Sequence, residues 1–552
     1  MRPVGLSPGP HLALPATFFP TMPLAWPALG LDAYLEDIVD RMMEDPPDSR
    51  EDVQKLKIRT ARDHEVPKIP KNSKLLNALP EDEREAFKPL LVKKPTRSLS
   101  GVAVVTVQAP PEACPHGTCT FCPGGPRMGT AQSYTGKEPA ARRADRHGFD
   151  AYDQARSRLQ DLERNGHPVD KVDLIVQGGT FPARDWDDQQ RFVTSLYDAL
   201  NDHGTDEEQR SADLAEAHRR NETADARGIG LTLETKPDWC QKPHVDNMLA
   251  LGTTRIEIGV QTVYDEVLAA TNRGHTMQDT YEASQTARDA GLKVCYHLMP
   301  GLPESSREMD LETARQTFDD PRLRPDMLKI YPTLVVPGTA LHEQHQRGEF
   351  EPLGDEEAAD LVSEILDMVP PWVRVQRVER DIPTHEIAAG VFKTNLRELA
   401  WDEMGAQCSC LRCREAPRRT EEPLDLEETQ HGYEASGGEE VFLAVEDTSK
   451  DAVVGYCRVR IPSMDAHRDE VDGAAIVREL KVVGSEVPLA GSGDDRSHQH
   501  QGHGTALMRR AEDVAHERGR GKLLVMAGVG TREYYRKLGY EREGPYMVKP
   551  LS

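Results

Sequence analysis

The chain has 552 residues, with 68 Lys and Arg against 93 Asp and Glu and a formal net charge of −25. That length calls for two or three domains. No run reaches the roughly 20 apolar residues of a membrane span, and nine grouped cysteines exclude a disulfide framework and suit a reducing cytoplasm. Binding to phosphate needs local Lys and Arg, so the acid excess argues against a nucleic-acid partner unless the surface is adapted to high salt, where charges are screened within a few ångströms.

In chain order, residues 1–33 are Pro-rich and read as a disordered extension or a mis-assigned start rather than a signal peptide. Residues 34–100 read as a helical segment, basic in its second half, carrying Lys57, Arg59, Arg62, Lys68, Lys71, Lys74, Lys88, Lys93 and Lys94. In an acidic chain this leans toward a phosphate backbone; a solvated helical face is the plain alternative. From residue 101 to 387, six apolar segments (GVAVVTV, VDLIVQGGT, GIGLTLETKP, TRIEIGVQTV, GLKVCYHLMPGLP and MLKIYPTLVV) alternate with polar helical stretches. The rhythm predicts an α/β fold with parallel strands and outer helices, an open or closed barrel. Residues 388–440 read as a linker with a cysteine cluster, and 441–552 as a second α/β unit. The acidic stretches DEEQRSADLAEAHRRNETADAR and RRTEEPLDLEETQHGYEASGGEE read as exposed helix or linker.

Cys114, Cys119 and Cys122 lie in CPHGTCTFC, on a loop after the first strand. Three thiolates so close hold three irons of a [4Fe–4S] cube and leave the fourth open for a substrate or cofactor. A structural zinc site, with His116 in the turn as a candidate ligand, and plain buried thiols are the alternatives. Successive strand ends then collect Gly178, Gly179, Thr180, Glu234, Lys236, Asp238, Gln261 and His297. In barrel folds the C-terminal strand ends build the site, so these predict one shared pocket.

This segment resembles radical S-adenosylmethionine (SAM) enzymes, although CxxxxCxxC departs from their usual CxxxCxxC. The resemblance implies a [4Fe–4S] cluster whose open iron chelates SAM, with Gly178, Gly179, Thr180, Glu234 and Gln261 around the cofactor. Gly178–Thr180 stand where that family often has GGE against the methionine amino group.

The run QHQGHGTA, residues 499–506, fits QxxGxG/A and opens a helical pattern, where free backbone N–H groups suit a pyrophosphate. With the strand before it and YYRKLGY after it, the unit resembles GNAT acetyltransferases. That implies acetyl-CoA on the loop Gln499, Gly502, His503, Gly504 and Thr505. Its pantetheine would lie along the backbone of Glu479, Leu480, Lys481 and Val482, with Tyr535 at the thioester. Tyr534 competes for that role, and core packing is the alternative for either tyrosine. The histidines of SHQHQGH overlap this loop and do not read as a metal site. Cys408, Cys410 and Cys413 have zinc-like spacing, with His385, Cys295 or water as fourth ligand. Cys240, Cys295 and Cys457 read as buried apolar residues.

Radical SAM followed by GNAT resembles the family of the Elongator catalytic subunit. The likeness is carried by KPTRSLSGVAVV, CPHGTCTFCPGGP, QSYTGKEP, VDKVDLIVQGGTFPA, GLTLETKPDWC, HLMPGLP, LKIYPTLVVPGT, AGVFKTNLRE and nearly everything from IVRELKVVG to PYMVKP. It implies a cytoplasmic enzyme that forms 5-carboxymethyluridine at the wobble uridine of the tRNA anticodon stem-loop. Its needs would be acetyl-CoA, SAM and an electron donor, with a homodimer as a candidate assembly. Lys171 stands where the family contacts acetyl-CoA from the radical side; a surface lysine is the alternative. Unpaired anticodon bases are splayed into a pocket at low cost. Two other readings stay open: a protein lysine acetyltransferase with a structural iron–sulfur domain, and a tRNA-binding scaffold with residual CoA hydrolysis.

Overall fold

The computed structural model describes residues 28–93, 101–205, 207–420, 422–484 and 501–551. Most of the Pro-rich extension lies outside them. The chain divides into two units, residues 1–93 and 94–552.

The first unit is helical, with helices Ala28–Glu44, Arg50–Asp63, Asn72–Ala78 and Arg84–Leu91. Ser49 opens the second by accepting the N–H of Asp52 at 3.2 Å, as an N-cap should. Tyr34, Ile38, Met42, Val53, Leu56, Leu75, Leu76, Phe87 and Leu91 form the core. Of the basic residues, Lys57 is buried and donates to Asn72 at 2.6 Å, so it is spent inside the fold. Arg59, Arg62, Lys68, Lys71 and Lys74 are exposed.

The second unit begins with strands β1 (Ala103–Gln108), β2 (Lys171–Gln177), β3 (Arg227–Thr235), β4 (Arg255–Gln261), β5 (Lys293–Leu298), β6 (Met327–Ile330) and β7 (Arg374–Val378). They pair in parallel in that order, and β1 and β7 do not pair with each other, so the barrel is partial. Side chains alternate across such strands. On β4, Ile256, Ile258 and Val260 pack outward into the core, while Arg255, Glu257, Gly259 and Gln261 line the lumen. The seventh strand was not among the six expected. RVQRV lacks the apolar run of a buried parallel strand because Arg374, Gln376 and Arg377 face the lumen.

The second sheet has β8 (Glu427–Ala435), β9 (Gly438–Asp447), β10 (Ala452–Ile461), β11 (Ala474–Val482), β12 (Lys522–Val525), β13 (Glu541–Glu543) and β14 (Tyr546–Pro550). Their spatial order is β13-β14-β12-β11-β10-β9-β8. Part of the acidic stretch read as exposed helix or linker is therefore strand. As an edge strand, β8 pairs with β9 alone and keeps most side chains in water, which hides it from hydropathy. One face of the sheet packs on the helix His503–Glu517 through Leu507, Ala511 and Val514. Ile476, Leu524, Tyr546 and Val548 join the barrel core instead. The other acidic stretch contains the helix Leu214–Asn221.

Barrel and sheet are locked by eight buried charges, four arginines (Arg288, Arg458, Arg460, Arg478) and four carboxylates (Asp289, Asp326, Glu440, Glu479). Arg478 reaches Asp326 at 2.6 Å and Glu440 at 2.8 Å. No described helix is long and apolar enough to cross a membrane.

Candidate active site

The cysteine loop follows β1, and the ends of β2 and β4 close over it. Gly178 and Gly179 have φ of +124° and +75°, open to glycine at little cost. A Cβ on Gly179 would lie 3.2 Å from that of Gln132 and 3.4 Å from Cys114 Sγ, so the backbone must approach bare. Thr180 Oγ1 donates to Cys114 Sγ at 3.6 Å. Cys119 Sγ accepts from Arg273 Nη1 at 3.4 Å and contacts His116 Nε2 at 3.3 Å. Gln132 Nε2 donates to Cys122 Sγ at 3.2 Å. Donors on every thiol suit thiolates that carry a cluster's negative charge.

The loop thiols fit a cube better than one ion. Thiolates sharing a zinc at 2.3 Å stand about 4 Å apart. Among the described residues, the groups with all ligand atoms within 4.8 Å of one another are Cys408, Cys410 and Cys413, and Glu257, Cys295 and His297; the loop thiols do not form such a group. Gln261 is a second mark of a binding site: it holds a non-glycine φ of +73°, and its buried Oε1 has no partner among the described residues. A strained residue presenting an orphan acceptor belongs at a binding site.

A cavity of about 760 Å³ runs from this loop through the lumen. Its wall includes Cys114, Cys119, Cys122, Gly179, Thr180, Glu234 and Gln261, and also Glu479 and Lys481 of β11. Ten Lys and Arg line it against six Asp and Glu, the reverse of the chain's overall balance. Burial pushes Glu234 up to about 7, against the pull of Lys329. Burial, with Arg374, holds Lys481 down to about 8.

The β11–β12 ladder ends at Val477 opposite Val525, while β11 continues to Val482. Glu479–Val482 stay paired with β10 on one edge, while the β12 ladder does not extend to them on the other. Gly502, φ +90°, caps the helix His503–Glu517, whose first N–H groups have no partners within the helix. Gly504 meets the Tyr534 hydroxyl, which also reaches Thr505. Tyr535 packs in the core against Tyr540, and burial raises its pKa far above the ordinary value. Gln499 lies outside the described residues. Lys171 opens β2 at the end opposite Gly178, between the cavity-lining Pro168 and Asp173.

Residues 110–317 match the Radical SAM superfamily, 325–405 the Radical_SAM C-terminal domain, 31–99 the ELP3 N-terminal domain and 395–540 the Acetyltransferase (GNAT) family. The tRNA uridine(34) acetyltransferase of Methanocaldococcus jannaschii is 43% identical over 534 residues, 94% of this chain and 97% of that protein. Elongator complex protein 3 of Homo sapiens is 42% identical over 534 residues, 94% and 96% of the two chains. The solved structure of archaeal Methanocaldococcus infernus Elp3 with N-terminus deletion (1-46) is 42% identical with a TM-score of 0.72, covering 82% of this chain and 100% of that one.

The chain belongs to the Elongator complex protein 3 family.

Both folds expected of that family, radical SAM partial barrel and GNAT domain, are present. The family implies a [4Fe–4S] cluster and SAM, and the GNAT domain is consistent with acetyl-CoA. Beyond the expected residues, the Elongator-type site adds Gln132, Tyr134, Glu257, Arg273, Lys329 and Arg380. Glu257 was legible as the one acid inside the apolar run RIEIGVQ; the others come from loops and distant strands. The linker cysteines cluster at 3.4 Å (Cys408–Cys413) and 3.6 Å (Cys410–Cys413). Neither suggested protein fourth ligand joins them. His385 is exposed beside Glu386, and Cys295 sits in the lumen wall with Glu257 and His297.

Proposed function

We propose that the chain modifies the wobble uridine of tRNA at C5, building 5-carboxymethyluridine from the acetyl group of acetyl-CoA. One observation carries this reading: a single cavity is lined by the thiols of the iron–sulfur loop and by side chains of the acetyl-CoA strand. A plain acetyltransferase has no use for that continuity. C5 of uridine is a poor nucleophile, so bonding it to the acetyl methyl calls for a radical. SAM bound at the cluster supplies that radical chemistry.

The chain's residues then divide the work. Cys114, Cys119 and Cys122 hold the cluster, and Gly178, Gly179, Thr180 and Gln261 seat SAM. Gly502, His503, Gly504 and Thr505, with Gln499, take the pyrophosphate of acetyl-CoA, and the β11 backbone takes its pantetheine. Tyr535, kept protonated by burial, donates to the thioester, and Lys171 draws the acetyl end toward the barrel. The cationic wall attracts the anticodon stem-loop, and so do Arg59, Arg62, Lys68, Lys71 and Lys74, exposed on a stretch (55–74) with seven Lys and Arg against two Asp and Glu. Cys408, Cys410 and Cys413 hold a structural zinc. The enzyme works in the cytoplasm with a one-electron donor, as a candidate homodimer.

The test is anaerobic reconstitution with SAM, methyl-labelled acetyl-CoA, dithionite and unmodified tRNA, with a peptide in parallel. Label in a wobble carboxymethyl group, with 5′-deoxyadenosine, supports the reading. Labelled peptide and bare tRNA refute it and leave a lysine acetyltransferase.

A further inference from the structure

Of the six carboxylates on the cavity wall, five are already engaged. Glu138 accepts the N–H groups of Thr135 and Gly136 at 2.9 and 3.1 Å. Asp173 faces Arg255 at 3.2 Å, and Asp381 faces Arg377 at 2.6 Å. Glu479 holds Arg458 at 3.0 Å, and Glu257 holds Lys329 and, at 2.9 Å, His297. Glu234 differs. Among the described residues no cation lies within ion-pair distance of it, and the Tyr134 hydroxyl is its hydrogen-bond partner, 3.3 and 3.2 Å from its two oxygens. Tyr134 fixes the carboxylate while leaving most of its acceptor capacity toward the cavity.

The charges acting on Glu234 come from four sides. Lys329 and Arg380 are the cations, Glu257 the anion, and Tyr134 the hydroxyl. Arg380 is itself anchored, donating to the carbonyl of Ser133 at 2.5 Å. Lys329 has three donors and gives Glu257 one or two. The wall thus presents an acceptor beside two cationic donors. Uracil presents the complement on its pairing edge, an N3–H donor between the O2 and O4 acceptors. Cytosine presents an N3 acceptor beside an amino donor, and meets a carboxylate with lone pair against lone pair.

We propose that Glu234 reads the target base, accepting the N3–H of uracil while Lys329 and Arg380 donate to the flanking carbonyls, and so separates uridine from cytidine. The inference rests on the tRNA reading and deepens it by naming the base edge the cavity recognises. It also removes Glu234 from the residues assigned to SAM. A site built to hydrogen-bond a ligand donor rejects the analogue lacking it, because its own polar groups are left unpaired. Burial raises the Glu234 pKa to about 7, so the acceptor form prevails only above neutral pH and the preference for uridine should sharpen as pH rises.

The test uses the full chain, without cluster, and fluorescent anticodon stem-loops carrying uridine, cytidine or N3-methyluridine at the wobble position. Wild type should bind the uridine loop about tenfold or more tightly than the other two, the scale of one lost buried hydrogen bond. Glu234→Gln, which can accept or donate, and Glu234→Ala should each bring uridine and cytidine within about threefold, while phosphate-driven binding changes little. SAM binding to reconstituted wild type and variants should match. A wild type with no preference, or a variant that keeps it, overturns the inference. So does a variant that loses SAM and retains base preference. A wild type that binds no stem-loop instead refutes the tRNA reading itself.

Discussion

Asp326→Asn is the sharpest test of how the two halves of the second unit are joined. The carboxylate stands one residue before β6 and is fully buried. It accepts the Val294 N–H at 2.8 Å and both Nη atoms of Arg478 at 2.7 and 2.6 Å, with Arg288 at 3.5 Å and Arg458 at 3.8 Å. Burial alone would raise its pKa, but Arg288 and Arg478 override it and hold it well below the carboxylate range. Asparagine keeps one acceptor and turns an amide donor toward an arginine donor. The network of four arginines and four carboxylates gains one uncompensated positive charge, buried away from bulk solvent. Breaking a buried pair from one side costs about 3–5 kcal/mol. If the roughly 450 residues after Lys93 melt together, the unfolding entropy is about 1 kcal/mol/K, so Tm should fall by about 3–5 °C. If barrel and sheet melt apart, the fall grows and a second transition appears in calorimetry. The cycle with Arg478→Met decides: removing both partners should cost less than the two single changes summed, by about 2 kcal/mol or more. A single variant within 1 °C of wild type, or strict additivity, refutes the network as the joint.

Cys119→Ala should abolish iron retention and 5′-deoxyadenosine formation while leaving acetyl-CoA affinity within about twofold, because the acetyltransferase core is a separate cluster; iron analysis and calorimetric titration check both. Gly179→Val forces a branched side chain into a left-handed backbone 3.2 Å from Gln132 Cβ and 3.4 Å from Cys114 Sγ, so iron per chain should drop by half or more with the GNAT domain intact. Glu415 is held near 2 although burial raises it, because Arg374, Lys481 and Arg418 outweigh burial. From 4.5 unfolded to about 2 folded, it contributes about 3 kcal/mol above pH 5, lost as pH falls toward 2; Glu415→Gln should flatten that acid limb in melts from pH 6 to 3. Tyr535→Phe should lower carboxymethyl formation about tenfold or more with acetyl-CoA affinity retained, as for a lost transition-state donor. Tyr534→Phe should act mainly on affinity, since its hydroxyl sits at Gly504 and Thr505.

The parts legible in the sequence are those whose chemistry is local in the chain. Three cysteines in nine residues, a glycine turn opening a helix, and apolar strands ending in Gly-Gly-Thr each state their geometry within a dozen positions. What stayed hidden was set by partners a hundred or more residues away. Arg458, Arg460 and Arg478 read as ordinary strand arginines, and no spacing rule links them to Asp326 or Asp289 across the barrel. The same distance hid β7, whose arginines face a lumen that exists only once six other strands have closed around it. It also hid the pairing of Tyr134 with Glu234, a hundred residues apart. A buried polar strand is affordable only where something polar fills the other side. The density of charge in this lumen is therefore itself an argument that an anionic, hydrogen-bonding substrate enters it, since a barrel built for stability alone would be filled with branched apolar side chains.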